Sequence, residues 1–330
     1  MIPWREAWQH ALYEPGGFYR STAGPAGHFS TATHGSIGAS FARAIATLAD
    51  RERATHVIDL GCGRGELLRQ LHAVRPDLAL TGVDVVDRPP GLPDALAWVR
   101  SHGGVALPES LSDLENVLVV ANEWLDVVPC TIAEVVAPAT LTVVHVDPST
   151  GTEGRPGGGS AMSGPIGPST TVAPTSEELD WCARHWPLDD LPVGSRVEIG
   201  LSRDLAWHDL LSRIRRGTAV AIDYGHTAAA RPTHGTLAAY RSGDLVAAVP
   251  DGTCDLTAHV AVDSLTADVV LTQRDALRGL GLTGRLPPHA LASEDPAGYL
   301  AAVARASSEG ALTRLDGLGG FWWILRRTSM

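Results

Sequence analysis

Apolar and polar positions change period repeatedly along this chain, and each change marks the border of a predicted strand or helix. Val57, Ile58 and Leu60 form a short apolar run that reads as a buried parallel strand, and Gly61, Gly63 and Gly65 stop it. Helical spacing follows over Glu66 to Val74, and a second strand, Leu78 to Asp84, ends in an acid. After the turn-rich Pro89-Pro90-Gly91 and Pro93, the spacing predicts a helix over about 94–100. The next buried strand is Val117 to Ala121, read as the fourth strand of a doubly wound sheet. From Thr131 the pattern alternates, TIAEVV and LTVVHV around Pro138-Ala139, which predicts a hairpin. A helix carrying Leu179, Trp181 and Cys182 comes next, and a second over Asp204 to Arg215 aligns Leu205, Trp207, Leu210, Leu211 and Ile214.

Gly217 to Gly225 predicts a fifth buried strand, again ending in an acid, Asp223. His234 to Arg241 and Thr253 to Val260 read as polar loops. Val269 to Leu271 and Gly320 to Leu325 read as strands, and Gln273 to Leu280 and Pro296 to Ala306 as helices. Ahead of the first strand, Trp4, Ala7, Trp8, Ala11 and Leu12 predict an amphipathic helix, and Ile37 to Leu48 a second. Asp147 to Pro174 is almost wholly Gly, Pro, Ser and Thr, which predicts a flexible surface insertion.

A strand running into glycines and then a helix opens a nucleotide-binding α/β unit, because glycine permits positive φ and the helix start offers free N–H groups. Asp84, about twenty residues beyond the glycines, suits a carboxylate that accepts hydrogen bonds from ribose hydroxyls, with Val85 beside it. The spacing G-x-G-x-G with Asp59 two residues earlier departs from the dinucleotide pattern G-x-G-x-x-G, which disfavours a nicotinamide-linked oxidoreductase. It looks like the S-adenosylmethionine (SAM) turn of class I methyltransferases, where an acid at the strand end faces the methionine amino group. Asn122, Glu123 and Asp126 directly follow the fourth strand, and packing alone is a poor reason for them. The expected strand order brings Asp223 and Tyr224 close to Glu123.

Composition narrows the partners. The chain has 330 residues, 44% hydrophobic and 19% charged, with a formal charge of −11, which argues against a general nucleic-acid binder. Its four cysteines, Cys62, Cys130, Cys182 and Cys254, are scattered without metal-ligand spacing, and read as reduced thiols of a cytoplasmic protein without a metal. No apolar run is long enough to span a membrane, and the N-terminus has no signal-peptide core.

With these pieces placed, the chain resembles the MidA family of SAM-dependent methyltransferases, which includes a complex I assembly factor with protein arginine methyltransferase activity. The resemblance rests on LYEPGGFY (Leu12 to Tyr19), GHFSTATHGSIGASFA (Gly27 to Ala42), IDLGCGRGELL (Ile58 to Leu68), NEWLDVVP (Asn122 to Pro129), AIDYGH (Ala221 to His226), GTLAAYR (Gly235 to Arg241), DLTAHV (Asp255 to Val260) and the tail LGGFWWILRR. It implies a class I α/β methyltransferase fold, a Rossmann-like doubly wound sheet with an N-terminal helical lid at 1–54. The core would be 55–130 and 187–330, and 131–186 a hairpin and helical insertion with a flexible loop at 147–174.

The same resemblance implies SAM as cofactor, held by Asp59, Gly61, Gly63, Gly65, Asp84, Val85, Asn122 and, from the lid, Thr31. Glu123 and Asp126 correspond to the carboxylates that grip a guanidinium in related arginine methyltransferases. Asp223, Tyr224, Tyr240 and His259 are expected at the substrate. His28 and His34 stand where the family usually has acids, which removes negative charge beside the site and makes His28, or else His34, a candidate general base. The implied activity is methyl transfer to a nitrogen acceptor, such as a protein arginine. The alternatives are an O- or N-methyltransferase of a small metabolite and a non-catalytic SAM-fold assembly factor. A homodimer is a further expectation.

Overall fold

The computed structural model of the chain describes residues 1–21, 32–33, 35–154 and 172–329. Its centre is a seven-stranded mixed sheet made of β1 (His56–Leu60), β2 (Ala79–Asp84), β3 (Leu96–Arg100), β4 (Leu114–Asn122), β5 (Ile214–Asp223), β6 (Val269–Thr272) and β7 (Trp322–Ser329). In space the order is β6-β7-β5-β4-β1-β2-β3, parallel throughout except that β7 runs antiparallel to both neighbours. The chain leaves β1 toward one edge and returns to the other side at β4. The carboxyl ends of β1 and β4 therefore flank the point where the winding reverses, which is where open α/β sheets hold ligands.

Side-chain alternation along the strands divides the core into two layers. Val57, Leu118, Val120, Val220, Ile222 and Trp323 face helices α2 (Gly35–Arg51), α3 (Glu66–Val74), α6 (Gln273–Gly279) and α7 (Pro296–Thr313). Ile58, Val117, Val119, Ala219, Ala221 and Ile324 face the other way, against Trp207, Leu210 and Leu211 of α5 (Leu201–Ser212). Both faces of the parallel strands are thus covered, which is why their sequences read as near-continuous apolar runs.

Outside the sheet, α1 (Trp4–Tyr13) buries Trp4, Trp8 and Leu12 in a separate cluster with Ile132, Val146 and Leu256. The hairpin Thr131–Ala137/Thr140–Val143 takes a third strand from Arg196–Ile199, and α4 (Ser176–His185) packs Trp181 and Cys182 on it, so this unit extends from Thr131 through Ile199. A capping box starts α4, with the Thr175 side chain accepting from Glu178 N and the Glu178 carboxyl accepting from Thr175 N.

Three segments differ from what the pattern predicts. The helix expected over 94–100 is strand β3: its apolar residues pair in register with β2, Leu80 opposite Leu96 and Val83 opposite Val99, so sheet pairing overrides local periodicity. The two polar loops contain short strands, Ala238–Arg241 and Asp255–Thr257, which pair with one another, and the first also pairs with Asp244–Val246. The first part of the Gly- and Pro-rich insertion is ordered as well. Val146 pairs with Glu153, whose carboxylate accepts from Trp4 Nε1 at 2.6 Å and from Arg196 at 2.6 Å.

Candidate active site

A cavity of about 460 Å³ opens at the carboxyl ends of β1, β2 and β4. One wall is the glycine turn. Gly61, Gly63 and Gly65 have φ of +73°, +58° and +78°, a region that only glycine enters at low cost. Gly61 and Gly63 line the cavity, whereas Gly65 does not: it caps α3, and a Cβ there would come within 3.1 Å of Leu92. The predicted cofactor glycine at 65 is therefore a packing and capping residue.

Two acids stand on this wall. Asp84 Oδ2 accepts from Gly63 N at 2.7 Å and Oδ1 from Val85 N at 2.7 Å, so the end of β2 and the glycine turn hold each other. Burial pushes Asp84 up to about 6 against the lowering effect of these backbone donors. Asp59 is 4% exposed, and its carboxyl is raised to about 8 by burial first and then by Asp84 and Glu66. A carboxyl this deep beside another acid calls for a cation. Val85 lines the same wall.

The opposite wall begins at the end of β4. Glu123 has φ of +52°, a strained conformation for a non-glycine residue, held by its N–H donating to Ile222 O at 2.8 Å. Its side chain accepts from Asn122 Nδ2 at 3.1 Å, and burial with the nearby Asp126 raises it to about 7. Asn122 and Glu123 both line the cavity, and Asn122 Oδ1 is buried without a partner among the described residues. Asp126 lines it too, and its Oδ2 accepts the Tyr224 hydroxyl. Tyr224, Tyr240 and His259 also reach the cavity, with Tyr224 and His259 edge to face at 5.2 Å.

Asp223 does not reach it. It is 0% exposed, lies behind the wall, and its Oδ2 accepts from Leu125 N at 3.0 Å. The expected substrate-binding acid on β5 is thus a buried support of the loop after β4. His28, Thr31 and His34 lie outside the described residues.

Sequence reasoning passed over four contributors. Tyr13 and Tyr19 come from the N-terminal segment, and Asp255 from one of the short strands. The Tyr19 hydroxyl donates to Asp255 Oδ1 at 2.6 Å, and burial raises Asp255 to about 8. Arg203 of α5 is 2% exposed and donates to the carbonyls of Asp126, Val128 and His259 at 2.8 to 3.0 Å. Its guanidinium is satisfied by backbone and pins the loops that carry Asp126 and His259 together. The motifs LYEPGGFY and DLTAHV contain three of these residues, so their signal was present in the motifs without a role attached.

The donor set fits a molecule with a sulfonium, an ammonium and a ribose: acids for the cations and the ribose, and glycines that leave the backbone open. A sequence profile described as "Putative S-adenosyl-L-methionine-dependent methyltransferase" matches residues 36–278, more than half of the chain. The chain belongs to this family. Its cofactor is S-adenosyl-L-methionine and its activity is methyl transfer.

Two crystal structures of Burkholderia thailandensis proteins share the fold at 23% identity. One, described as a "likely methyl transferase" and bound to S-adenosyl-homocysteine, matches over 98% of this chain and 87% of its own with a TM-score of 0.72. The other, described as uncharacterized, matches over 99% and 87% with a TM-score of 0.70. None of the curated proteins compared matches this chain. Among the described residues of this methyltransferase, no helix is long and apolar enough to cross a membrane, and no cluster of His, Cys, Asp and Glu has metal-binding geometry.

Proposed function

We propose that this methyltransferase transfers its methyl group to a nitrogen of a cationic acceptor, an arginine side chain being the best fit, as in the MidA-type group that its motifs resemble. The observation that carries this is the acidic lining of the cavity. Among the described residues, Asp59, Glu66, Asp84, Glu123, Asp126 and Asp255 all line it, against one arginine, Arg64, at the rim. The cofactor uses part of that acidic lining, with Asp59 facing the ammonium and ionising against it, Asp84 facing the ribose, and the backbone at Gly61 and Gly63 leaving room beside Asn122. Glu123, Asp126 and Asp255 remain for the acceptor.

When bound, the cofactor supplies an electrophilic methyl on a sulfonium. The chain's residues align the nucleophile and remove its proton. Glu123 is the group for that work. It is held rigidly by its strained backbone, and near pH 7 its carboxyl is partly ionised, which suits a general base. Asp126 holds the acceptor from the other side, while Tyr13 and Tyr19 close the cavity toward the N-terminal segment.

The test is transfer of labelled methyl from SAM to a panel of arginine-bearing peptides, small amines and small hydroxyl compounds. Label on a guanidinium or amine nitrogen is the expected result. Label on oxygen would replace this reading by an O-methyltransferase, and SAM binding with no transfer to any of the panel would favour an assembly factor.

A further inference from the structure

Asp126 and Asp223 present a problem of hydrogen bonding that the reaction above does not use. Asp126 is 2% exposed and Asp223 0% exposed. Each has one oxygen with a donor: Asp126 Oδ2 takes the Tyr224 hydroxyl, and Asp223 Oδ2 takes Leu125 N–H. Each has one buried oxygen, Oδ1, with no donor in the described protein. The two carboxyls are within hydrogen-bond reach of one another. Two ionised carboxylates this close and this buried would repel, and each would keep an orphaned acceptor at a cost that native cores avoid.

We propose that Asp126 and Asp223 share one proton, carried on Asp223, so that Asp223 is a positioning residue: a neutral carboxylic acid that donates to Asp126 and fixes it as the single charged acceptor of the pair. The proton is placed on Asp223 by its surroundings. Besides Asp223 itself, Asp126 has the Tyr224 hydroxyl, the Arg203 guanidinium and the Val127 backbone N–H favouring its ionised form; Asp223 is deeper, with only Leu125 N–H on its side. The other titratable groups acting on the pair are acidic or neutral. Glu123 from the end of β4 and Asp255 from the short strand both oppose a second negative charge, and Tyr13, Tyr19 and His259 complete the surround. A single proton thus satisfies both orphaned oxygens and keeps the wall at one charge instead of two.

This assignment rests on the acceptor site described above, and it is testable without cofactor or acceptor. Infrared difference spectra of the cofactor-free protein against Asp223→Asn are recorded about one pH unit above the value near 8 reached by Asp59 and Asp255, which have by then lost their protons. A protonated carboxyl stretch present in the native chain and lost in Asp223→Asn is the expected result. An amide can imitate a carboxylic acid here: its oxygen accepts from Leu125 N–H and its NH₂ donates to Asp126. Asp223→Asn should therefore rescue what Asp223→Leu loses, a drop in turnover of about tenfold or more from leaving Asp126 Oδ1 without a donor. Asp126→Asn should not be rescued.

Absence of the band in the native chain, its persistence in Asp223→Asn, or equal damage by Asn and Leu overturns the proposal. If the band is found and no methyl transfer can be detected, the functional reading fails and the shared proton stands.

Discussion

The two walls of the cavity are built from similar chemistry by opposite routes. The cofactor wall is one continuous stretch, Asp59 to Val85, in which strand, turn, helix and strand bring Asp59, Gly63 and Asp84 together by local geometry alone. The acceptor wall collects Tyr13, Tyr19, Glu123, Asp126, Tyr224, Tyr240, Asp255 and His259 from five separate segments. Its contacts are correspondingly long-range, such as Tyr19 to Asp255 and Tyr224 to Asp126, and a buried arginine is needed to hold two of its loops. On the function proposed above, the first wall is the cofactor's and the second the acceptor's. Mutations should separate them.

The largest effect is expected at Gly63. Its φ of +58° strains any side chain by roughly 1–2 kcal/mol, and its N–H is the link to Asp84. In Gly63→Arg the added Cβ also lies within 3.3 Å of Glu66 Oε2, and the long side chain brings a guanidinium into the cavity that Gly63 lines. Calorimetry with S-adenosyl-homocysteine should show binding abolished while thermal unfolding confirms a folded chain. Unchanged affinity would remove the cofactor wall from its assigned place.

Glu123→Gln should act on the other wall alone. Glutamine is nearly isosteric and keeps the contact with Asn122, so affinity for SAM should stay within a few-fold. Turnover should fall by about 10²-fold or more if the carboxylate takes the proton. The pH profile carries a second check. The group titrates at about 7 and works ionised, so kcat/KM in the native chain should rise with pH through that value, and the rise should vanish in the variant. Retained turnover in Glu123→Gln would transfer the role to another residue.

This division also explains what the sequence could disclose. The glycine turn, Asp59, Asp84 and the apolar runs of β1, β2, β4 and β5 are local signals, so they were legible together with the fold. Glu123 and Asp126 were legible because they follow a buried strand whose end marks the winding reversal. Other features depend on pairing that no window of sequence contains. β3 carries apolar residues at helical spacing yet pairs as a parallel strand on β2, and Ala238–Arg241 and Asp255–Thr257 are too short to show a period. The roles of Asp223 and Gly65 are of this kind too. Both sit at motif positions, and only the direction of their neighbours shows that one supports the loop and the other caps a helix.

A smaller effect distinguishes the walls by protons. In the cofactor-free protein Asp59 is raised to about 8, so at pH 7 it is mostly protonated. An ammonium placed against it would favour the ionised form and lower that value, so binding should expel a proton into the buffer. Calorimetric titration of SAM at pH 7 in two buffers of different ionisation heat should reveal the release, and Asp59→Asn should bind more weakly and release less. The sign extends to stability. A carboxyl whose folded value lies above its unfolded value of about 3.9 stabilises the fold least at high pH, so the cofactor-free protein should lose stability as pH rises from about 4 through 8. Asp59→Asn should flatten that loss, and saturating SAM should flatten it as well, by supplying the charge that the empty wall lacks. Equal pH slopes in the native chain and in Asp59→Asn would mean that the acid at the end of β1 already has its counter-charge, and the cation it awaits would have to be sought on the wall of Glu123.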